Sequence, residues 1–348
     1  MSPTSLSPTP PWSAGPSSAR RIALALAAVL LMTLGLAACG GDDGSDGDGA
    51  AAAGQGAPVR IQHKYGTTEV PASPKRVVTV GWTDQDAVLA LGVKPLGVVE
   101  FTGLGLSVDK YPWSAGRWGG TAPTVVGQRE DLKMEKIAAL RPDLILALYT
   151  GITKEQYDQL SKIAPTVAQS ARYDDYAMPW KEATLVTGRA LGKEAQAKEL
   201  IAAVDQRFAR AREQNPQLVG KTFAVADPFK PGQYAVFGPG DAKVEFMKGL
   251  GLTVPDAVAE AAGKEQAAVI GSERADLLDT DRLVFLTSVP DARKTVQADK
   301  VYTGLKVAKE NRAVFVPYNP TGAAVSFNTV LSIPYAIDQM VPLLNNTR

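Results

Sequence analysis

Few residues of this sequence could perform covalent chemistry. The 348-residue chain holds one cysteine, Cys39, and one histidine, His63. A single cysteine permits no intramolecular disulfide and no cysteine-based zinc or iron–sulfur site. A single histidine excludes a His-rich metal centre and speaks against a His-dependent catalytic apparatus. His63 reads as a surface or strand-edge residue, not as a ligand. The sequence contains no GxSxG elbow and no P-loop. A formal net charge of +1 lacks the basic excess of a nucleic-acid binder. What remains is recognition chemistry, made of aromatic faces and a few cations. Trp82, Tyr149, Phe229 and Tyr318 each follow an apolar, strand-like run. Open α/β sheets bind ligands at such carboxyl ends of strands. Tyr111, Trp113, Arg117 and Trp118 form an aromatic and basic cluster among Pro and Gly, and Trp118 is its foremost candidate. A loop so rich in Trp is costly to expose without purpose. Tyr173, Tyr176 and Trp180 form a second cluster.

The elements that must position these side chains alternate in type. Strand-like runs at 76–80, 94–99, 143–148 and 166–168 are interleaved with helical patterns at 84–91, 132–140 and 156–163. A second series places strands at 221–226, 283–287 and 313–316. Its helices fall near 241–250 and 272–278, with a closing helix at about 327–344 kinked by Pro334. Such alternation implies α/β lobes, each with a mainly parallel sheet flanked by helices. Between the series, 193–214 contains no Pro or Gly. Leu200, Val204, Phe208 and Ala211 share one face of this segment, joined by Ile201. The helix would span about 33 Å and could brace two lobes, or lie on the surface of one domain. The expected division is an N-terminal lobe at 58–192, a connecting helix at 193–215 and a C-terminal lobe at 216–348.

The first 57 residues have a different character. Arg20 and Arg21 precede an uncharged apolar run from Ile22 to Ala38, the pattern of a secretory signal over 1–38. Leu36-Ala37-Ala38-Cys39 resembles the bacterial lipobox, in which the cysteine is lipidated and becomes the mature N-terminus. The arginine pair leaves general and twin-arginine export both open. Residues 39–57 read as the lipidated cysteine followed by a flexible tether. The Asp run at 42–48 lacks the spacing and closing Glu of a calcium loop.

Several segments together resemble the ferric-siderophore and cobalamin class of ABC-transporter substrate-binding lipoproteins, particularly actinobacterial iron-siderophore binding proteins. They are Pro74-Lys75-Arg76-Val77-Val78, the stretch Asp86 to Val93, Val126-Gly127-Gln128-Arg129, the stretch Glu135 to Leu146, Leu160 to Val167, Gly188 to Glu194, Leu277-Leu278-Asp279 and Pro334 to Asp338. The resemblance implies two lobes joined by one long helix, with a ligand cleft between them and limited hinge motion. It implies capture of a ferric siderophore, of hydroxamate type, for delivery to a permease–ATPase complex. The protein would be a monomer on the extracellular face of the membrane, lipid-anchored at Cys39. It would have no catalytic activity and no cofactor, and iron would be bound only through its chelator. Arg129 falls where hydroxamate binders carry an arginine against the chelate oxygens, a role suited to a guanidinium fork. Glu135 and Glu273 match the glutamates that dock on permease arginines; the plainer reading is a pair of helix N-terminal carboxylates favoured by the macrodipole. Cobalamin or haem on the same scaffold, and more distantly a secreted α/β enzyme, are the alternatives. Haem is disfavoured by the shortage of axial ligands.

Overall fold

The computed structural model describes residues 57–101, 105–289 and 291–347. Cys39, the apolar run before it and the Asp-rich tether lie outside the described residues. An antiparallel hairpin not expected from the sequence comes first, β1 (Val59–His63) and β2 (Gly66–Val70). The N-terminal sheet then comprises β3 (Val77–Thr79), β4 (Gly97–Glu100), β5 (Thr124–Gln128), β6 (Asp131–Leu132), β7 (Leu144–Ala147) and β8 (Thr166–Ala168). Its order is β6-β5-β4-β3-β7-β8, with only the short β6 antiparallel. The central strands β3 and β7 are buried at every residue, which is why they read as unbroken apolar runs.

The C-terminal sheet contains β9 (Phe223–Lys230), β10 (Gln233–Phe237), β11 (Ala267–Gly271), β12 (Arg282–Thr287) and β13 (Ala313–Pro317), in the order β11-β10-β9-β12-β13. Its β9–β12 and β12–β13 pairings are parallel, while β10 runs antiparallel to both β9 and β11. This sheet is therefore mixed. Pro231-Gly232, with Gly232 at φ +67°, folds β9 directly back into β10. The turn also lets β9 continue to Lys230, so Phe229 lies inside a strand and not in a loop after it.

The expected closing helix at 327–344 is two helices, Ala323–Phe327 and Ser332–Asn345. Asn328 adopts the left-handed conformation at φ +45° and ends the first. Thr329 and Ser332 then bond to each other at the start of the second, whose N-cap residue is Leu331. The Thr329 N–H donates to Ser332 Oγ at 2.9 Å, and the Ser332 N–H to Thr329 Oγ1 at 3.0 Å. Pro334 falls in the first turn, where its missing N–H breaks no intrahelical bond, so it makes no kink.

The long helix Glu194–Gln214 forms as expected and buries Ala197, Val204, Phe208 and Ala211. Glycines let it approach both lobes closely. A Cβ on Gly188, in the helix Trp180–Ala190, would lie 2.4 Å from the Ala197 Cβ. A Cβ on Gly249, ending the helix Ala242–Gly249, would lie 2.5 Å from the Phe208 ring. The helix is thus seated at one end on the N-terminal lobe and towards the other on the C-terminal lobe. Replacing either Gly188 or Gly249 by Val should destabilise the protein by about 1–3 kcal/mol through overpacking. Urea unfolding curves would show this as a lowered midpoint with unchanged slope.

Candidate ligand-binding site

Two buried carboxylates at the exit of β3 organise the site. Asp84 accepts the backbone N–H groups of Gly81 at 3.1 Å, Leu148 at 2.8 Å and Tyr149 at 3.0 Å. It therefore ties the end of β3 to the end of β7 and fixes the two aromatic residues there, Trp82 and Tyr149. The Trp82 N–H completes the link by donating to the Tyr149 carbonyl at 3.1 Å. Only glycine fits at position 81, because a Cβ would stand 2.3 Å from the Asp84 carboxylate. Asp86 reaches further. Its Oδ2 accepts from Trp113 Nε1 at 2.9 Å and from Thr329 Oγ1 at 2.6 Å. One carboxylate oxygen thus holds the helix Asp84–Ala90, the 108–118 loop and the segment following Asn328. Burial pushes the Asp84 carboxyl up to about 6 and that of Asp86 up to about 7, against the hydrogen bonds that lower them.

Above these carboxylates lies a chain of aromatic rings with one guanidinium. Trp82 lies 4.3 Å from the Tyr176 ring and 5.0 Å from Phe101. Tyr149 meets Tyr176 edge-on at 6.0 Å. Phe101 continues to Tyr318 of the C-terminal lobe at 6.3 Å and to Phe327 at 6.1 Å. Tyr111 and Trp113 stack at 4.9 Å and both meet Phe327. The Arg129 guanidinium sits 5.6 Å from the Trp82 ring and 5.1 Å from that of Phe101.

Local backbone explains how Arg129 arrives there. Arg129-Glu130 is the two-residue turn between β5 and β6, and Gly127 lets those strands close, since a Cβ would be 2.7 Å from the Asp131 carbonyl. Arg129 is held at φ +53°, a conformation strained for an arginine. Its Nε is buried without a hydrogen-bond partner among the described residues. Neighbouring Glu130 accepts instead from the Tyr176 hydroxyl.

The facing wall comes from the C-terminal lobe. Tyr318 follows β13, and burial raises its hydroxyl. Lys243 pairs with Asp241 at 3.0 Å and stands 3.9 Å over the Phe237 ring. Burial raises the Tyr149 hydroxyl well above its ordinary range. A cavity of about 780 Å³ adjoins this surface on the side of the long helix, with Phe208 and Trp180 in its wall. It shares Tyr149, Tyr176 and Phe327 with the aromatic chain, but Arg129, Trp82 and Phe101 do not line it.

Of the residues expected from sequence, the structure brings Trp82, Tyr149, Arg129 and Tyr318 together. Trp118 is buried at 2% exposure, as is Tyr111, and Tyr111 and Trp113 both pack on the Phe327 ring. Phe229 occupies the β9–β10 hairpin, with the Lys230 ammonium 5.8 Å from its ring. Tyr176 joins the site, whereas Tyr173 and Trp180 line the cavity. His63 sits on β1 but is buried, bonded to Thr68 Oγ1 at 2.9 Å and packed on Tyr157. Glu135 and Glu273 are exposed at the starts of two short helices, Met134–Ala139 and Ser272–Leu278. Sequence reasoning missed Phe101, although it directly follows β4 and obeys the rule that found Trp82. Phe327 carried no signal, because the break at Asn328 was not legible.

An aromatic and cationic cleft between two helix-joined α/β lobes defines a solute-binding protein. The chain belongs to the periplasmic binding protein family, whose profile matches residues 77–319. A periplasmic solute binding protein of Mycobacterium smegmatis is 33% identical, with a TM-score of 0.74 over 83% of this chain and 98% of that one. PiaA of Streptococcus pneumoniae, solved in complex with ferrichrome, is 28% identical, with a TM-score of 0.71 over 83% and 98%. The iron(3+)-hydroxamate-binding protein FhuD of Bacillus subtilis is 31% identical over 200 residues, 56% of this chain and 57% of that protein. The chain spans between 53% and 60% of the length of the Bacillus subtilis relatives it matches at 31–33% identity.

The two raised carboxyls give stability a definite pH dependence. Both Asp84 and Asp86 start from 3.8 in the unfolded chain, so between about pH 4 and pH 7 the folded state binds more protons. Their contribution to stability is therefore fully present at low pH and falls as pH rises through that window. Asp86→Asn should gain on the wild type as the buffer moves from about pH 4.5 to about pH 7.5. Parallel urea titrations at the two pH values measure the difference.

Proposed function

We propose that this protein is the extracellular substrate-binding component of an ABC importer and captures a ferric siderophore of hydroxamate type in the cleft between its lobes. The observation that carries the reading is Arg129, held in a strained turn with its guanidinium over Trp82 and Phe101. A ferric hydroxamate presents partly negative oxygens around the metal and an apolar periphery. A cation aimed from a bed of aromatic rings complements both. Two relatives, an iron(3+)-hydroxamate-binding protein and one solved with ferrichrome, support the same chemistry. Tyr176 covers the Trp82 face in this structure, so the chelate displaces it on entry. Tyr149 and Tyr318 then bear on the ligand from either lobe.

In this reading iron reaches the protein only inside its chelator, and the protein performs no catalysis. The lobes are 58–192 and 216–348, connected by 193–215. Cys39 carries the lipid anchor, and 40–57 is the tether that spaces the monomeric body from the membrane. Glu135 and Glu273, one on each lobe and both solvent-exposed, dock on the permease of the permease–ATPase complex. Exposed charges so placed set register and encounter rate more than affinity.

Two experiments test this. Ferric hydroxamates should quench the intrinsic Trp fluorescence saturably, and Arg129→Gln should weaken binding by roughly ten- to a hundredfold, the value of a charge-assisted contact. Quenching by cobalamin with none by hydroxamates would sink the assignment. The double variant Glu135→Ala, Glu273→Ala should lose siderophore-dependent iron uptake in cells while keeping the wild-type dissociation constant; weakened ligand binding would refute the docking role.

A further inference from the structure

Tyr176 occupies a ring face that a siderophore would need. Its ring centre lies 4.3 Å from that of Trp82 at an interplanar angle of 35°, and Trp82 is only 9% exposed. The hydroxyl of the same ring donates to Glu130 Oε1, one residue on from Arg129. The Glu130 backbone is itself held, since its carbonyl accepts from Gln156 Nε2 at 2.8 Å. Both sides of this contact carry strained backbone, with Arg129 at φ +53° and Tyr176 at φ +61°. Such conformations persist only where the surrounding contacts over-determine them. Gly151 leaves the space the ring uses, because a Cβ there would lie 3.0 Å from it. In the cluster on which Tyr176 packs, two donors, Trp82 Nε1 and Arg129 Nε, are buried and lack partners among the described residues. Orphaned buried donors are costly and rare.

The ring has room to turn aside. Tyr176 also lines the cavity of about 780 Å³ on the side of the long helix, which Arg129, Trp82 and Phe101 do not line. The backbone beside it is pinned. Asp175 Oδ1 accepts from Lys64 Nζ at 2.6 Å and from Gln169 Nε2 at 2.7 Å, and the Asp175 carbonyl accepts from Gln266 Nε2 at 3.1 Å. Release is therefore rotation of one side chain between staggered positions, not opening of the loop. We propose that Tyr176 is an internal competitor for the ligand's seat on Trp82, and that Glu130 is the positioning residue that latches it there. The inference rests on the siderophore reading above and adds its regulation. Only molecules with Tyr176 turned aside bind, so the apparent dissociation constant is the intrinsic one divided by their fraction. A ferric hydroxamate offsets the broken latch in two ways. Its oxygens are acceptors for the orphaned donors, and its apolar periphery takes the place of the ring on Trp82.

The test titrates ferrichrome and a linear ferric trihydroxamate into the full chain by Trp quenching, with association and dissociation followed by stopped flow. Tyr176→Phe deletes the donor of the latch and Glu130→Ala its acceptor. Each should raise the association rate and tighten binding roughly three- to tenfold, the value of one hydrogen bond, with the dissociation rate unchanged. Glu130→Gln keeps an acceptor oxygen and should fall between Glu130→Ala and the wild type. The double variant Tyr176→Phe, Glu130→Ala should gain no more than either single change, because both break the same bond. A residue that only supports the fold, or that only holds the ligand, gives the opposite sign when it is altered. Weakened or unchanged binding in either single variant overturns the inference and leaves the siderophore reading intact. If neither the wild type nor the variants bind either chelate, the inference and the siderophore reading fall together.

Discussion

The Asp84 carboxylate is the interaction on which the cleft depends. Three backbone N–H groups from two different strand ends converge on it, and a fully buried charge is retained to receive them. The arrangement has a cost visible in the raised carboxyl, since desolvation outweighs the three hydrogen bonds. What it secures is position. Trp82 and Tyr149 leave neighbouring parallel strands at a fixed separation, and the whole aromatic chain is built outward from that pair. Asp86, two residues on, extends the same device to the 108–118 loop and to Thr329. The first turn of one short helix thereby joins residues more than two hundred positions apart in the chain.

A second constraint acts on the scale of the lobes. The long helix is held by close contacts at Gly188 and Gly249, so each lobe is fixed to the same rigid rod. Further bridges cross between the lobes, including the Asp86–Thr329 bond and the Gln266 side chain donating to the Asp175 carbonyl at 3.1 Å. Such an architecture suits recognition by preformed faces with small adjustments, of which the Tyr176 ring on Trp82 is the evident one.

Much of this was legible in the sequence, for identifiable reasons. Fully buried parallel strands such as β3 and β7 read as apolar runs, and the 21-residue helix showed its buried face as regularly spaced Val204, Phe208 and Ala211. The rule that looks for binding aromatics at strand exits singled out Trp82, Tyr149 and Tyr318, which the structure links through Phe101 and Tyr176. It erred at Phe229, because the Pro231-Gly232 hairpin prolongs β9 past it. Trp118, in a Gly-rich loop, is packed away at 2% exposure, which loop composition did not foretell. The closing helix concealed its break, since a single Asn in the left-handed region leaves no mark on apolar periodicity.

The sequence by itself determined the α/β class, the connecting helix, the poverty of nucleophiles and metal ligands, and the kinds of side chain available for recognition. These properties are local or compositional, and periodicity and counting register them directly. Only the tertiary structure decided that Arg129 lies over Trp82 and Phe101, and that Phe327 and Tyr176 join them. Each of those facts joins segments far apart in the chain through packing and through buried polar groups that must find partners. Such partners are set by where the strands and turns place them, and no short window of sequence carries that information.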